Sequence, residues 1–183
     1  MTNNKKIVLS GFFLALAMIL PGAIGAVNPV VGEAISPLHI PALLCGFVCG
    51  KKHGFMVGFF IPILKVMIYG VPMLFIAVPM CFELAMYGFL TGLLIEKLGY
   101  SVKNVYISLI LAMLGGRIVY GICTYFITTF ALLGSSGGAY TLAIFLASGA
   151  MLGGIVGAIS HIVIVPSIIF ALERVRVYSR KEA

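Results

Sequence analysis

Aspartate and tryptophan are absent from this chain of 183 residues, glutamate occurs five times, and charged residues are 9% of the total against 62% apolar ones. An average soluble domain carries roughly 25% charged residues, so an ordinary soluble globular protein is excluded, and so apolar a chain does not stay disordered. Four cysteines, Cys45, Cys49, Cys81 and Cys123, are too few and too irregular for a disulfide-rich secreted module. None has the spacing of a zinc site, and each is expected to act as a small buried apolar residue. The net charge of +7 comes from scattered residues and not from a basic face, which excludes a nucleic-acid binder. There is no phosphate-cradling glycine loop, no HExxH, no nucleophile motif and no paired-carboxylate cluster. The chain is not expected to be an enzyme or to hold a cofactor or metal, and any ATP-driven step belongs to another polypeptide.

What the sequence does contain is long apolar runs. A bilayer span takes about 20 apolar residues, so six spans use about two thirds of the chain and leave only short loops. The expectation is an all-α polytopic membrane protein with six transmembrane helices, forming one domain over residues 1–183. The spans run from about Ile7 to Val27, Leu38 to Gly50, Gly54 to Tyr69, Ile76 to Ile95, Val105 to Leu132 and Tyr140 to Leu172. Asn28 to Pro37 form a loop broken by Pro29, Gly32 and Pro37. Lys51 to His53 form a polar turn, Gly134 to Gly138 a flexible loop, and the chain closes in a basic tail. At 1.5 Å per residue the second span, Leu38 to Gly50, is too short to cross a core of about 30 Å unaided. Either it lies tilted in a thinned region or its ends are buried in protein.

Charge placement orients the spans. With the N-terminus in the cytoplasm, the inner loops and tails hold Lys5, Lys6, Lys51, Lys52, Lys97, Lys103, Arg174, Arg176, Arg180 and Lys181, ten of the twelve cations, and the outer loops hold none. Both termini are therefore expected in the cytoplasm. The two remaining cations, Lys65 in the third span and Arg117 in the fifth, lie at membrane depth, where a central charge costs about 2.5–3.5 kcal/mol on insertion scales. Glu83 in the fourth span is the one acid placed beside them. Helical spacing adds Tyr69 to the face of Lys65, Tyr87 to that of Glu83, and Tyr120 and Thr124 to that of Arg117.

Two readings of these stripes stand side by side. Glu83 can pair with either cation merely to set helix packing. Alternatively the groups line a binding site for a polar small molecule, which the unmatched positive charge favours, and the ligand then carries a carboxylate or other acidic group or is a charge-neutral ring system held by the same donors. His39, at the outer entrance of the second span, either caps a ligand or bonds the backbone at the interface. His161, placed in the inner half of the sixth span, reads as a packing hydrogen bond. Gly11 and Ala15 on the first helix form a small-xxx-small pattern that admits a close neighbour, within the chain or outside it.

The stretch HIPALLCGFVCGKKHGFMVGF, His39 to Phe59, together with GFFLA in the first helix and the six-span layout, resembles the substrate-binding S components of energy-coupling factor (ECF) vitamin transporters. The resembling features are Pro41 to Leu44, Gly46 with Gly50, the turn Lys51 to His53, and Gly54 with Gly58. The resemblance implies high-affinity binding of a vitamin or vitamin precursor near the outer surface, under a lid formed by residues 28–37. It also implies partners: a transmembrane coupling protein and two ABC ATPases, with the bacterial plasma membrane as location. The family's Ala-x-x-x-Ala contact for the coupling protein maps onto Gly11 and Ala15. The polar lining is then His39, Lys65, Tyr69, Glu83, Tyr87, Arg117, Tyr120 and Thr124. A stand-alone facilitator or proton-coupled carrier using Glu83 is the alternative.

Overall fold

The structure, a computed structural model, describes residues 2–27, 37–131 and 152–174. The described residues form six helices and no strand: α1 (Asn3–Val27), α2 (His39–Cys49), α3 (Lys51–Tyr69), α4 (Leu74–Leu98), α5 (Val102–Ala131) and α6 (Leu152–Arg174). Four of them, α1, α3, α4 and α5, are long and apolar enough to cross a membrane. The expected lid, apart from Pro37, the loop Gly134 to Gly138 and the tail beyond Arg174 lie outside the described residues.

The helix ends follow from glycine chemistry. Gly70 ends α3 in the left-handed conformation (φ 69°), its N–H bonded to the carbonyl of Val66 at 2.9 Å, as a C-terminal glycine cap requires. After α4, the Asn104 amide donates to the carbonyls of Leu98 at 2.7 Å and Gly99 at 3.0 Å, groups that the helix itself leaves without partners. The polar turn expected at Lys51 to His53 is narrower than its composition suggests. Gly50 alone, at φ 88°, reverses the chain, and Lys51 to His53 form the first turn of α3. The backbone freedom of one glycine makes the connection, so the three polar residues are free to be helical.

Helix α2 resolves the problem of the short span. All eleven of its residues are buried, and it packs against α1, α3, α4 and α6. A helix of that length covers only about 16 Å, roughly half the hydrocarbon core, and it lies in protein instead of lipid.

Glycines set how closely these helices approach. A Cβ placed on Gly54 of α3 would strike the carbonyl oxygen of Gly88 in α4 and lie 2.6 Å from the Cα of Gly46 in α2, and one on Gly88 would strike the carbonyl of Gly54. Gly58 meets the backbone of Leu84, and Gly92 that of Lys51, in the same way. Thr91 fills the seam, fully buried, its hydroxyl donating to the Tyr87 carbonyl at 2.8 Å. Helices α2, α3 and α4 thus meet backbone to backbone, and the spacing of small residues noted in the sequence has its physical cause here.

Three segments expected on one side of the membrane do gather at one end of the bundle. Lys51 Nζ lies 2.9 Å from Glu96 Oε2, joining the start of α3 to the end of α4, and Lys6 of α1 interacts electrostatically with Glu96.

Candidate functional site

Helix α4 supplies the centre of the site. Glu83 and Tyr87 are one turn apart and both buried, and the Tyr87 hydroxyl donates to Glu83 Oε1 at 2.7 Å. Arg117 of α5 brings Nη1 to 3.1 Å from the same oxygen. From the first turn of α2, His39 sets Nε2 3.9 Å from Glu83 Oε2, an electrostatic contact longer than a hydrogen bond. The His39 ring also lies 5.5 Å from that of Tyr87 and 5.6 Å from that of His161 on α6. Three helices, α2, α4 and α5, therefore meet at one carboxylate, and α6 joins them through the His39 ring.

The energetics explain why these partners are together. Glu83 is 2% exposed, and a carboxylate that deep is tolerated only with a counter-charge and hydrogen-bond donors. Arg117 supplies the charge and Tyr87 the hydroxyl. Of the two cations that the sequence leaves available to Glu83, the structure selects Arg117.

Space for Tyr87 comes from the residue before that arginine. A Cβ on Gly116 would collide with the Tyr87 ring and lie 3.1 Å from the Glu83 carbonyl oxygen. With no side chain at Gly116, the buried ring rests against the α5 backbone and keeps its hydroxyl on Glu83.

Of the residues expected to line a site, His39, Glu83, Tyr87 and Arg117 are brought into one cluster. Tyr120 and Thr124 continue the Arg117 face of α5 one turn apart, both half-buried. Tyr69 lies elsewhere: its hydroxyl donates to the Met18 carbonyl of α1 at 3.1 Å. The reason is the packing order, since among the described residues α3 lies chiefly against α1, α2 and α4. Lys65, half-buried, sits one turn before Tyr69 on α3. Among the described residues the cluster accordingly draws its members from α2, α4, α5 and α6.

His161 is the residue that the sequence undervalues. Set in the inner half of the last span and read there as a packing hydrogen bond, it meets the His39 ring, and both residues are buried. Helix α2 begins inside the protein and not at its outer surface, so the two imidazoles come to the same level. A second signal was present in the sequence, because a buried polar ring needs a polar neighbour, and these two histidines are the ones outside the turn at His53.

Gly11 and Ala15 of α1 both face outward, and a Cβ added to Gly11 meets nothing within 4 Å. Packing within the described chain does not use this pair. Among the described residues, no group of three or more His, Cys, Asp or Glu side chains is placed to hold a metal ion.

No curated protein and no solved structure matches the chain. The family model for the substrate-specific component of ECF transporters matches residues 5–169, a stretch that reaches from the basic start of α1 into α6 and contains every residue of the Glu83 cluster. With its long apolar helices, this multi-pass membrane protein belongs to the substrate-specific components of ECF transporters.

Proposed function

We propose that this chain is the high-affinity, membrane-embedded binding subunit for uptake of a vitamin or vitamin precursor, driven by ATP hydrolysis on partner subunits. The six helices form one bundle across the bacterial plasma membrane in this reading, with the short α2 enclosed inside it and both termini in the cytoplasm. The gathering of Lys6, Lys51 and Glu96 at one end supports that orientation.

The observation that carries the proposal is the Glu83 cluster. A membrane-buried carboxylate, held by an arginine and a tyrosine with two histidines beside it, costs more to maintain than apolar packing would. In a family of substrate-binding components, that expense is explained by a ligand. His39, Glu83, Tyr87 and Arg117 form its polar floor, Tyr120 and Thr124 extend it along α5, and Lys65 reaches toward it from α3.

The outward pair Gly11 and Ala15 is the contact for a transmembrane coupling protein, which carries two ABC ATPases. An uncovered small-residue pair on an apolar helix allows another helix to approach closely.

The test is affinity. The full chain purified in detergent retains a small molecule detectable by native mass spectrometry, and Arg117→Ala or Lys65→Ala weakens its binding by tenfold or more, the loss of a charge-assisted hydrogen bond being about 1.5–3 kcal/mol. A change within twofold for both refutes the site. Uptake into proteoliposomes by the chain alone, without ATPases, refutes the division of labour and favours a stand-alone carrier. Such a carrier would have to break the Glu83–Arg117 ion pair to load a proton on Glu83.

A further inference from the structure

The cluster is not evenly accessible. Glu83 is 2% exposed, Tyr87 1%, His161 3% and His39 6%, whereas the Arg117 side chain is 33% exposed. Oε1 of Glu83 is taken by Tyr87 and by Arg117 Nη1, and Oε2 is enclosed with His39 at 3.9 Å. Arg117 is thus the member of this buried cluster with accessible donors. A guanidinium has five N–H donors in a rigid fork, and a buried carboxylate gripping one nitrogen fixes the plane in which the others lie.

We propose that Glu83 is a positioning residue that does not touch the ligand, and that Arg117, held by it, presents the free edge of its guanidinium to a carboxylate on the ligand. The assignment rests on the reading of the chain as a substrate-binding subunit and narrows its substrate class to organic acids. The planar fork matches a carboxylate in a two-bond geometry that a lysine ammonium cannot reproduce. Tyr87 acts one step further out: its hydroxyl holds the carboxylate that holds the arginine, and Gly116 leaves room for its ring.

Charge and position can be separated by experiment. Glu83→Asp keeps the negative charge but shortens the reach to Arg117, and Arg117→Lys keeps the positive charge but removes the fork. Tyr87→Phe keeps every charge and the ring. The probes are acids paired with neutral counterparts: nicotinate with nicotinamide, pantothenate with panthenol, and biotin with biotinamide, titrated onto the full chain in detergent by calorimetry.

The expected result is that at least one acid binds ten or more times tighter than its neutral counterpart. Arg117→Lys and Glu83→Asp should each lower that ratio about tenfold, and Tyr87→Phe severalfold. A merely structural role would weaken acid and neutral compounds alike and leave the ratio unchanged, so a constant ratio in Glu83→Asp and Tyr87→Phe overturns the positioning role. Neutral compounds binding as tightly as acids overturns the organic-acid assignment while leaving the binding-subunit reading intact. Failure of all six to bind, with a non-acidic molecule retained on the purified chain, likewise overturns the organic-acid assignment and leaves the binding-subunit reading standing, whereas failure of all six with no molecule retained overturns both. Should Glu83→Asp not fold, Tyr87→Phe reads the same ratio through the neighbouring bond.

Discussion

Alanine at Gly54 or Gly88 tests the packing that supports the site. A Cβ on Gly54 lies 2.6 Å from the Cα of Gly46, and ordinary contact begins near 3.4 Å, so α3 must retreat from α2 by about 0.8 Å. A gap of about 0.5–1 Å forfeits a quarter to a half of the dispersion well for each atom pair across it. Neither obstacle can swing aside, because the struck atoms are backbone atoms of α2 and α4. Overpacking of this kind costs about 1–3 kcal/mol, against a helix-propensity gain for alanine of up to about 1 kcal/mol. With about 2–4 °C per kcal/mol for a chain of this size, each variant should unfold several degrees below wild type. With no tryptophan available as a reporter, a thiol-reactive dye is the suitable assay, since Cys45, Cys49 and Cys81 are buried and react only on unfolding. Gly22→Ala is the control: its Cβ meets nothing within 4 Å, and its midpoint should be unchanged or slightly higher. If Gly54→Ala and Gly88→Ala both unfold within about 1 °C of this control, the three helices do not meet backbone to backbone and the reasoning fails.

Gly116→Ala should displace the Tyr87 ring and weaken ligand binding severalfold in calorimetry; unchanged affinity would mean that Tyr87 has no part in holding Glu83. Gly11→Leu should abolish co-purification with the coupling protein and leave the thermal midpoint within about 1 °C, because no neighbour in the described chain is struck; retained co-purification would place the partner elsewhere. Glu96→Gln removes a half-exposed ion pair with Lys51, a class of interaction measured at about 0.2–1 kcal/mol. Its destabilisation should be small at 0.1 M salt and vanish near 1 M, where the screening length falls to about 3 Å. A loss that persists at high salt would mean that Glu96 acts by some means other than charge.

The features legible in the sequence were those governed by local chemistry or by the bilayer. Gly50, Gly70 and Gly99 mark helix ends through backbone freedom, and Glu83, Arg117 and Tyr87 stand out because charge at membrane depth is costly and helical spacing aligns them. What escaped the sequence depends on distances between helices. That Glu83 pairs with Arg117 and not Lys65 follows from α4 lying against α5, and Tyr69 reaches α1 because α3 lies beside it. His161 meets His39 only because α2 begins inside the protein, which no periodicity reports. Gly116 is one glycine among 22, and its role appears only once the Tyr87 ring is seen to occupy its side.

The enclosure of α2 has a consequence for how the protein is made. Eleven residues, about 16 Å of helix, cannot anchor themselves across a bilayer during synthesis, and the single-glycine reversal at Gly50 ties α2 to α3. The two must enter as a hairpin, with α2 taking its final seat only after α4 and α6, its later-synthesised neighbours, have arrived. His39 is carried on that helix, so the proposed binding floor is complete only once α2 has packed against α4 and α6.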